Sequence, residues 1–226
     1  MPERLNSRET GRELGPDFGL PTLLPLSEHT VPARRVIFRQ RDVHESVPFI
    51  CSGWAATAVT LSDGSRQILS FLLPGDMVAT SLLFGSTAHC SVEAVTDVHY
   101  CSFDRDDLKA SLLSGPDVIE KLSRIWLERK LRAVELAVDL GRRTADERIA
   151  RLILGLRDRL AARGLAQGQT MDFPLRQHHV GDATGLTAVH VSKVLSEFRR
   201  RGLIEINDRS LTILNPAEFQ RVATMR

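Results

Sequence analysis

From Leu20 to about Phe103 the chain alternates short apolar runs with turn residues, the pattern of an all-β module. Arg35-Val36-Ile37-Phe38, Ala58-Val59-Thr60-Leu61 and Gln67-Ile68-Leu69-Ser70-Phe71-Leu72 read as strands. Ser62-Asp63-Gly64-Ser65 lies between the last two, and its Asp-Gly pair predicts a hairpin turn with both central residues at positive φ. Pro74-Gly75-Asp76 marks a second sharp turn. Residues 1–19, polar and interrupted by Gly11, Gly15, Pro16 and Gly19, read as a poorly ordered lead-in.

The period changes at Ser114-Gly115-Pro116-Asp117, where a proline followed by an acid predicts the start of a helix running to about Leu140. Along it Ile119, Leu122, Trp126, Arg129, Ala133, Leu136 and Leu140 recur at steps of three and four. Such a seam suits pairing with an identical helix, and it also suits packing on the chain's own β module. Arg129 is its one charged member, so leucine there is expected to tighten the pairing. Gly141 is the expected helix stop, and Thr144-Ala145-Asp146-Glu147 is a capping box opening the next helix. The expected divisions are a β module over 20–113, a dimerisation helix over 114–143 and a helical domain over 144–226.

Within that last region Gln177 to Leu195 fits a helix-turn-helix. Gly181 is small where two helices cross, and Gly185 supplies the backbone angle of the turn. Val180, Leu186, Val191 and Val194 face a shared core, and Thr187 is a good N-cap for the second helix. Ala188, Val189, His190, Ser192 and Lys193 are left pointing outward near the start of that helix, where a recognition helix meets base edges. Arg176, Gln177, Thr187, Arg199, Arg200 and Arg209 complete the expected DNA-binding set. His178 and His179 read as polar surface of the first helix. Gly202-Leu203-Ile204-Glu205-Ile206 and Leu211-Thr212-Ile213-Leu214, joined by Asn207-Asp208-Arg209-Ser210, read as a two-stranded wing.

Composition changes this picture little. The 226 residues are 42% hydrophobic and 26% charged, with a net charge of +2, and the stretch from Gln177 to Arg201 carries Lys193, Arg199, Arg200 and Arg201 against only Asp182 and Glu197. No apolar run approaches the roughly 20 residues needed to span a bilayer, so a cytoplasmic protein is expected. Cys51, Cys90 and Cys101 are widely spaced and odd in number, and read as buried small apolar residues. No Gly-rich phosphate loop, nucleophile elbow or HExxH motif occurs, so nothing supports an enzyme.

The β-roll turn Leu73-Pro74-Gly75-Asp76, the stretch Val92-Glu93-Ala94-Val95-Thr96, the hinge region from Arg143 to Ala150 and the helix-turn-helix together resemble the Crp/Fnr family of bacterial regulators. The resemblance runs from about Leu20 to Phe219 and is nearest to FixK-type regulators that carry no iron-sulfur cysteines. It implies an α+β chain with an N-terminal double-stranded, cyclic-nucleotide-binding-like β-roll, a long dimerisation helix and a C-terminal winged helix-turn-helix. It further implies a homodimer on a palindromic promoter site, RNA polymerase as a partner, and an effector of unknown identity.

Departures from the family pattern carry further expectations. Members that bind cyclic AMP hold the ribose with a Gly-Glu pair and the phosphate with an Arg-Ser pair, where this chain has Ala79-Thr80 and residues near Ala88-His89. Polar partners on the dimer helix fall at Ala133 and Val134. Without the arginine a buried phosphate loses its bidentate partner, so cyclic AMP is not expected to bind in the usual way. Clustered N-terminal cysteines for an iron-sulfur cluster are absent. Pro2 and His89 leave haem as an alternative, and a β-roll module docking on a protein partner is another. The family's usual base-reading glutamate and arginine correspond to Val189 and Lys193 here, which implies a different half-site.

Overall fold

The computed structural model describes residues 25–113 and 116–224, with the side chains of 111–113, 116–119, 121 and 122 left out. The expected lead-in over 1–19, Pro2, the Ser114-Gly115 helix start and the side chains of Ile119 and Leu122 therefore lie outside the described residues. Two compact units are present. One comprises the described residues up to Val59 with Ser70–Leu131, and the other Thr60–Leu69 with the described residues from Arg132 onward.

The strands before the long helices are β1 (Ser27–Val31), β2 (Val36–Phe38), β3 (Ser46–Ser52), β4 (Ala55–Thr60), β5 (Arg66–Leu72), β6 (Ser91–Ala94) and β7 (Val98–Asp104), all in the first unit except Thr60 and the first four residues of β5. They form two sheets, ordered β1-β7-β3 and β2-β6-β4-β5. Alternation along β3 and β7 sends side chains to opposite faces. On one face Ile50, Val98 and Tyr100 join Phe38, Ala55, Leu72, Val92 and Ala94 in a core. On the other, Val47, Phe49, Cys101 and Phe103 pack under Met77, Leu82, Leu83 and Leu108. This double burial explains the nearly continuous apolar run of β3.

The turn after β5 is locked from within, because the Asp76 carboxylate accepts from the Leu73 amide at 2.8 Å and the Gly75 amide donates to Ile50 O. In the β4–β5 hairpin only Gly64 takes positive φ, +84°, which corrects the expectation for both central residues. Asp63 contributes through its carboxylate, which accepts from the Ser65 amide at 2.8 Å and the Ser65 hydroxyl at 2.6 Å. A helix the apolar pattern did not flag, α1 (Arg105–Leu113), follows β7, with Asp104 Oδ1 accepting from the Asp106 and Asp107 amides.

Helix α2 spans Pro116–Arg142. It runs past Gly141, which corrects the expected stop: the chain breaks instead before the Thr144 cap. Its faces are also allotted differently from the expected seam. Ile125 packs on the core beneath β3 and β7, and Arg129 turns inward and donates to Met77 O at 2.8 Å. Leu136 and Leu140 are half-buried, while Trp126 and Ala133 are exposed. The exposed aliphatic residues are Leu127, Leu131, Val134 and Val138, which themselves recur at steps of four, three and four.

In the second unit α3 (Ala145–Ala161) opens on the expected capping box, with Thr144 and Glu147 exchanging hydrogen bonds. Strands β8 (Ala166–Gln167) and β9 (Thr170–Asp172) follow, then α4 (Gln177–Thr184), α5 (Ala188–Arg200), β10 (Ile204–Asn207), β11 (Ser210–Ile213) and α6 (Pro216–Val222). The wing is thus part of a four-stranded sheet ordered β10-β11-β9-β8, two strands wider than the sequence pattern suggested.

Because Arg129 holds a buried carbonyl, Arg129→Leu should destabilise the chain by about 1.5 kcal/mol, the low end for hydrogen bonds to charged groups. A urea unfolding midpoint that rises, as a completed apolar seam would require, would contradict this placement.

Candidate nucleic-acid interface

Helices α4 and α5 meet across a three-residue turn whose geometry is tightly specified. Gly185 sits in the left-handed region at φ +68°, where a Cβ would lie 2.9 Å from Leu140 Cδ2. A Cβ on Gly181 would lie 2.5 Å from Leu186 O, so the two segments touch backbone to backbone. The Leu186 amide closes the turn by donating to Gly181 O at 3.0 Å. Val180, Val191, Val194, Leu195 and Phe198 are buried around this crossing, and Leu186 is half-buried.

Arg148 on α3 holds the pair in place. Its guanidinium donates to Thr184 O at 3.1 Å, to Leu140 O at 2.9 Å and to Arg143 O at 2.9 Å. One side chain thereby satisfies carbonyls at the ends of α2 and α4 and in the hinge. Asp139 reinforces the hinge by pairing with Arg143 at 2.8 Å and Arg151 at 2.9 Å. Burial pushes the Asp139 carboxyl up from its ordinary value, and the two arginines oppose that shift.

The start of α5 is capped by Thr187, whose hydroxyl accepts from the His190 amide at 3.2 Å. This exposes the first turn. Ala188, Val189, His190 and Lys193 are exposed, Val189 to 80%, and Ser192 is half-buried. Arg176, Gln177, Ala188 and Arg199 line one shallow groove together with Ile206 and Asp208 of the wing. Arg209 is exposed at the wing's turn. Arg199 donates to Ser196 Oγ at 3.1 Å, whereas Arg200 is engaged by the Glu197 carboxylate through contacts of 2.8 and 2.6 Å.

Two local expectations change. His179 is buried rather than surface, and its Nδ1 accepts from the Arg176 amide at 3.1 Å, capping α4; His178 is exposed as expected. Of the residues named for an effector, Ala88 is buried, Ala79 and Thr80 are half-buried and His89 is exposed. Ala88 is held by its backbone to Asp42 O and the Arg41 amide.

Two family models match this chain. Residues 28–114 match the cyclic nucleotide-binding domain and residues 147–222 the Crp-like helix-turn-helix domain. The nitrogen fixation regulation protein FixK of Bradyrhizobium diazoefficiens is 29% identical over 83% of this chain and 78% of its own length. The transcriptional activator protein FnrA of Stutzerimonas stutzeri is 31% identical over 79% of this chain and 73% of its own. The solved structure of FixK2 from Bradyrhizobium japonicum superposes with a TM-score of 0.76 at 27% identity, covering 87% of this chain and 96% of that one.

The backbone contact at Gly181 yields a direct test. Gly181→Ala should lower stability by about 1–3 kcal/mol, as overpacking does, and abolish duplex binding in gel shifts. Retention of full DNA affinity would show that the two helices can part without consequence.

Proposed function

The chain belongs to the Crp/Fnr family of DNA-binding transcription regulators, whose members are not enzymes, and from that premise we propose that the first turn of α5 reads base edges in the major groove of a palindromic promoter site. The observation that carries this reading is the exposure of Val189 and Lys193 on a helix start capped by Thr187. Valine offers only apolar contact, for which a thymine methyl is the natural partner. Lysine reaches guanine acceptors as a mobile point charge.

Arg176, Arg199 and Arg209 flank that turn, and we assign them to phosphates, with Gln177, Thr187, Ala188, His190 and Ser192 between them at the groove. Arg200 is a weaker candidate than its position suggested, because a phosphate must compete with Glu197 for it. Two copies of the chain are proposed to pair along α2 through Leu127, Leu131, Val134 and Val138 rather than through the seam containing Arg129. On this reading RNA polymerase is the further partner, a small-molecule effector acts on the β module, and the protein works in the cytoplasm. Among the described residues no helix is long and apolar enough to cross a membrane. The domain assignment is a sensor over 20–113, a dimer helix over 114–143 and a DNA-binding domain over 144–226. Cyclic AMP is not the proposed effector, since the places that would meet its ribose and phosphate hold Ala79-Thr80 and Ala88-His89.

Selection on randomised duplex DNA tests the recognition register. Lys193→Ala should lose about 1–3 kcal/mol and relax the preference at one guanine, and Val189→Glu should move the preference toward C·G at the base it faces. Arg199→Ala should weaken all sequences alike and by more than Arg200→Ala. An identical selected motif for Val189→Glu and the parent would remove Val189 from the base-reading surface.

A further inference from the structure

The three cysteines are not equivalent in the fold. Cys101 is buried, and Cys51 and Cys90 are half-buried. Cys51 and Cys101, fifty positions apart, meet across the β3–β7 ladder with their sulfurs 2.6 Å apart. The ladder pairs Phe49 with Cys101 and Ile50 with Tyr100, then shifts so that Ser52 faces His99. Cys51 is the extra residue at that irregularity, and such a bulge bends the strand locally and re-aims a side chain. His99 and Cys101 share a face of β7 by the two-residue period, and Glu28 stands opposite Cys101 on β1. The ligand atoms of Cys51, His99 and Cys101 all lie within 4.8 Å of one another, and His99 Nε2 is 3.5 Å from Glu28 Oε2.

We propose that Cys51, Cys101 and His99, with Glu28 as the fourth ligand, bind a zinc-class divalent metal ion. Two thiolates, an imidazole and a carboxylate match that ion's borderline-soft preference and its coordination number of four. The donors come from three hydrogen-bonded strands of one sheet, so the frame is rigid. On the sulfur side Phe49, Met77, Leu82, Leu83 and Phe103 exclude water, while His99 and Glu28 are partly exposed and leave a path for the ion. Zinc–sulfur bonds near 2.3 Å place two tetrahedral sulfurs about 3.8 Å apart, so the pair must open by about 1 Å through side-chain rotation.

Charge points the same way. A divalent cation bound there neutralises the two thiolates that the apolar surroundings otherwise disfavour, and binding releases protons as the thiols ionise.

Cobalt(II) titration of the reduced, full-length, metal-free protein without oxygen tests the site. One equivalent should produce sulfur-to-cobalt charge-transfer absorption and the intense ligand-field bands of a tetrahedral site, and zinc should displace it. Cys51→Ser and Cys101→Ser should each abolish or strongly weaken the charge-transfer band, and Cys90→Ser should leave it unchanged. His99→Ala, which keeps both sulfurs, should retain the band with an affinity lower by about ten- to a hundred-fold, the size of loss seen even for supporting groups at metal sites. No sulfur band in the parent, a band surviving in the double serine variant, or unchanged affinity in His99→Ala would overturn the assignment.

Discussion

Where α4 meets the start of α5 there is room for a hydrogen and nothing larger, since a methyl at Gly181 would stand 2.5 Å from Leu186 O. That contact sets the angle between the two helices, and the rest of the recognition surface inherits it. Once the angle is set, Val191, Val194 and Phe198 are committed to the core, and the opposite face of α5 is committed to solvent. Thr187 then caps a helix whose first turn has nowhere to turn except outward. Arg148 extends the constraint by fastening the end of α4 to the end of α2 through three backbone carbonyls. An arginine suits this role because its planar fork offers several donors in fixed directions.

The long helix shows how one hydrogen bond can decide which face remains free. With Arg129 drawn inward to Met77 O and Ile125 packed below it, the helix presents Leu127, Leu131, Val134 and Val138 outward. A stripe of that spacing is what a partner helix would cover. Packing of Ile125 and Arg129 on the β module therefore sets which face of the helix is free for the proposed assembly.

The DNA-reading half was largely legible because its constraints lie close together in the chain. Gly181, Gly185 and Thr187 fall within seven residues, and the Thr144–Glu147 capping box within four. The face of α2 was not legible, since both Trp126-Arg129-Ala133-Leu136 and Leu127-Leu131-Val134-Val138 satisfy the same period. The Met77 carbonyl, fifty-two positions away, and the core contact of Ile125 choose between them. The Cys51–Cys101 meeting was hidden for the same reason, compounded by a bulge that no local pattern announces. Strands β8 and β9, two and three residues long, are too short for any alternation to show. His179 looked like surface because its neighbour is exposed, yet one step around α4 points it into the cap.

Two copies of the chain are proposed to present two such helix starts to one duplex. Selection on randomised DNA with the unmodified protein, followed by measurement of the mass of the complex on the selected site, separates this assembly from a lone chain on DNA. The expected result is an inverted repeat with half-sites about one helical turn apart, occupied by two chains. A single unrepeated motif bound by one chain would contradict it.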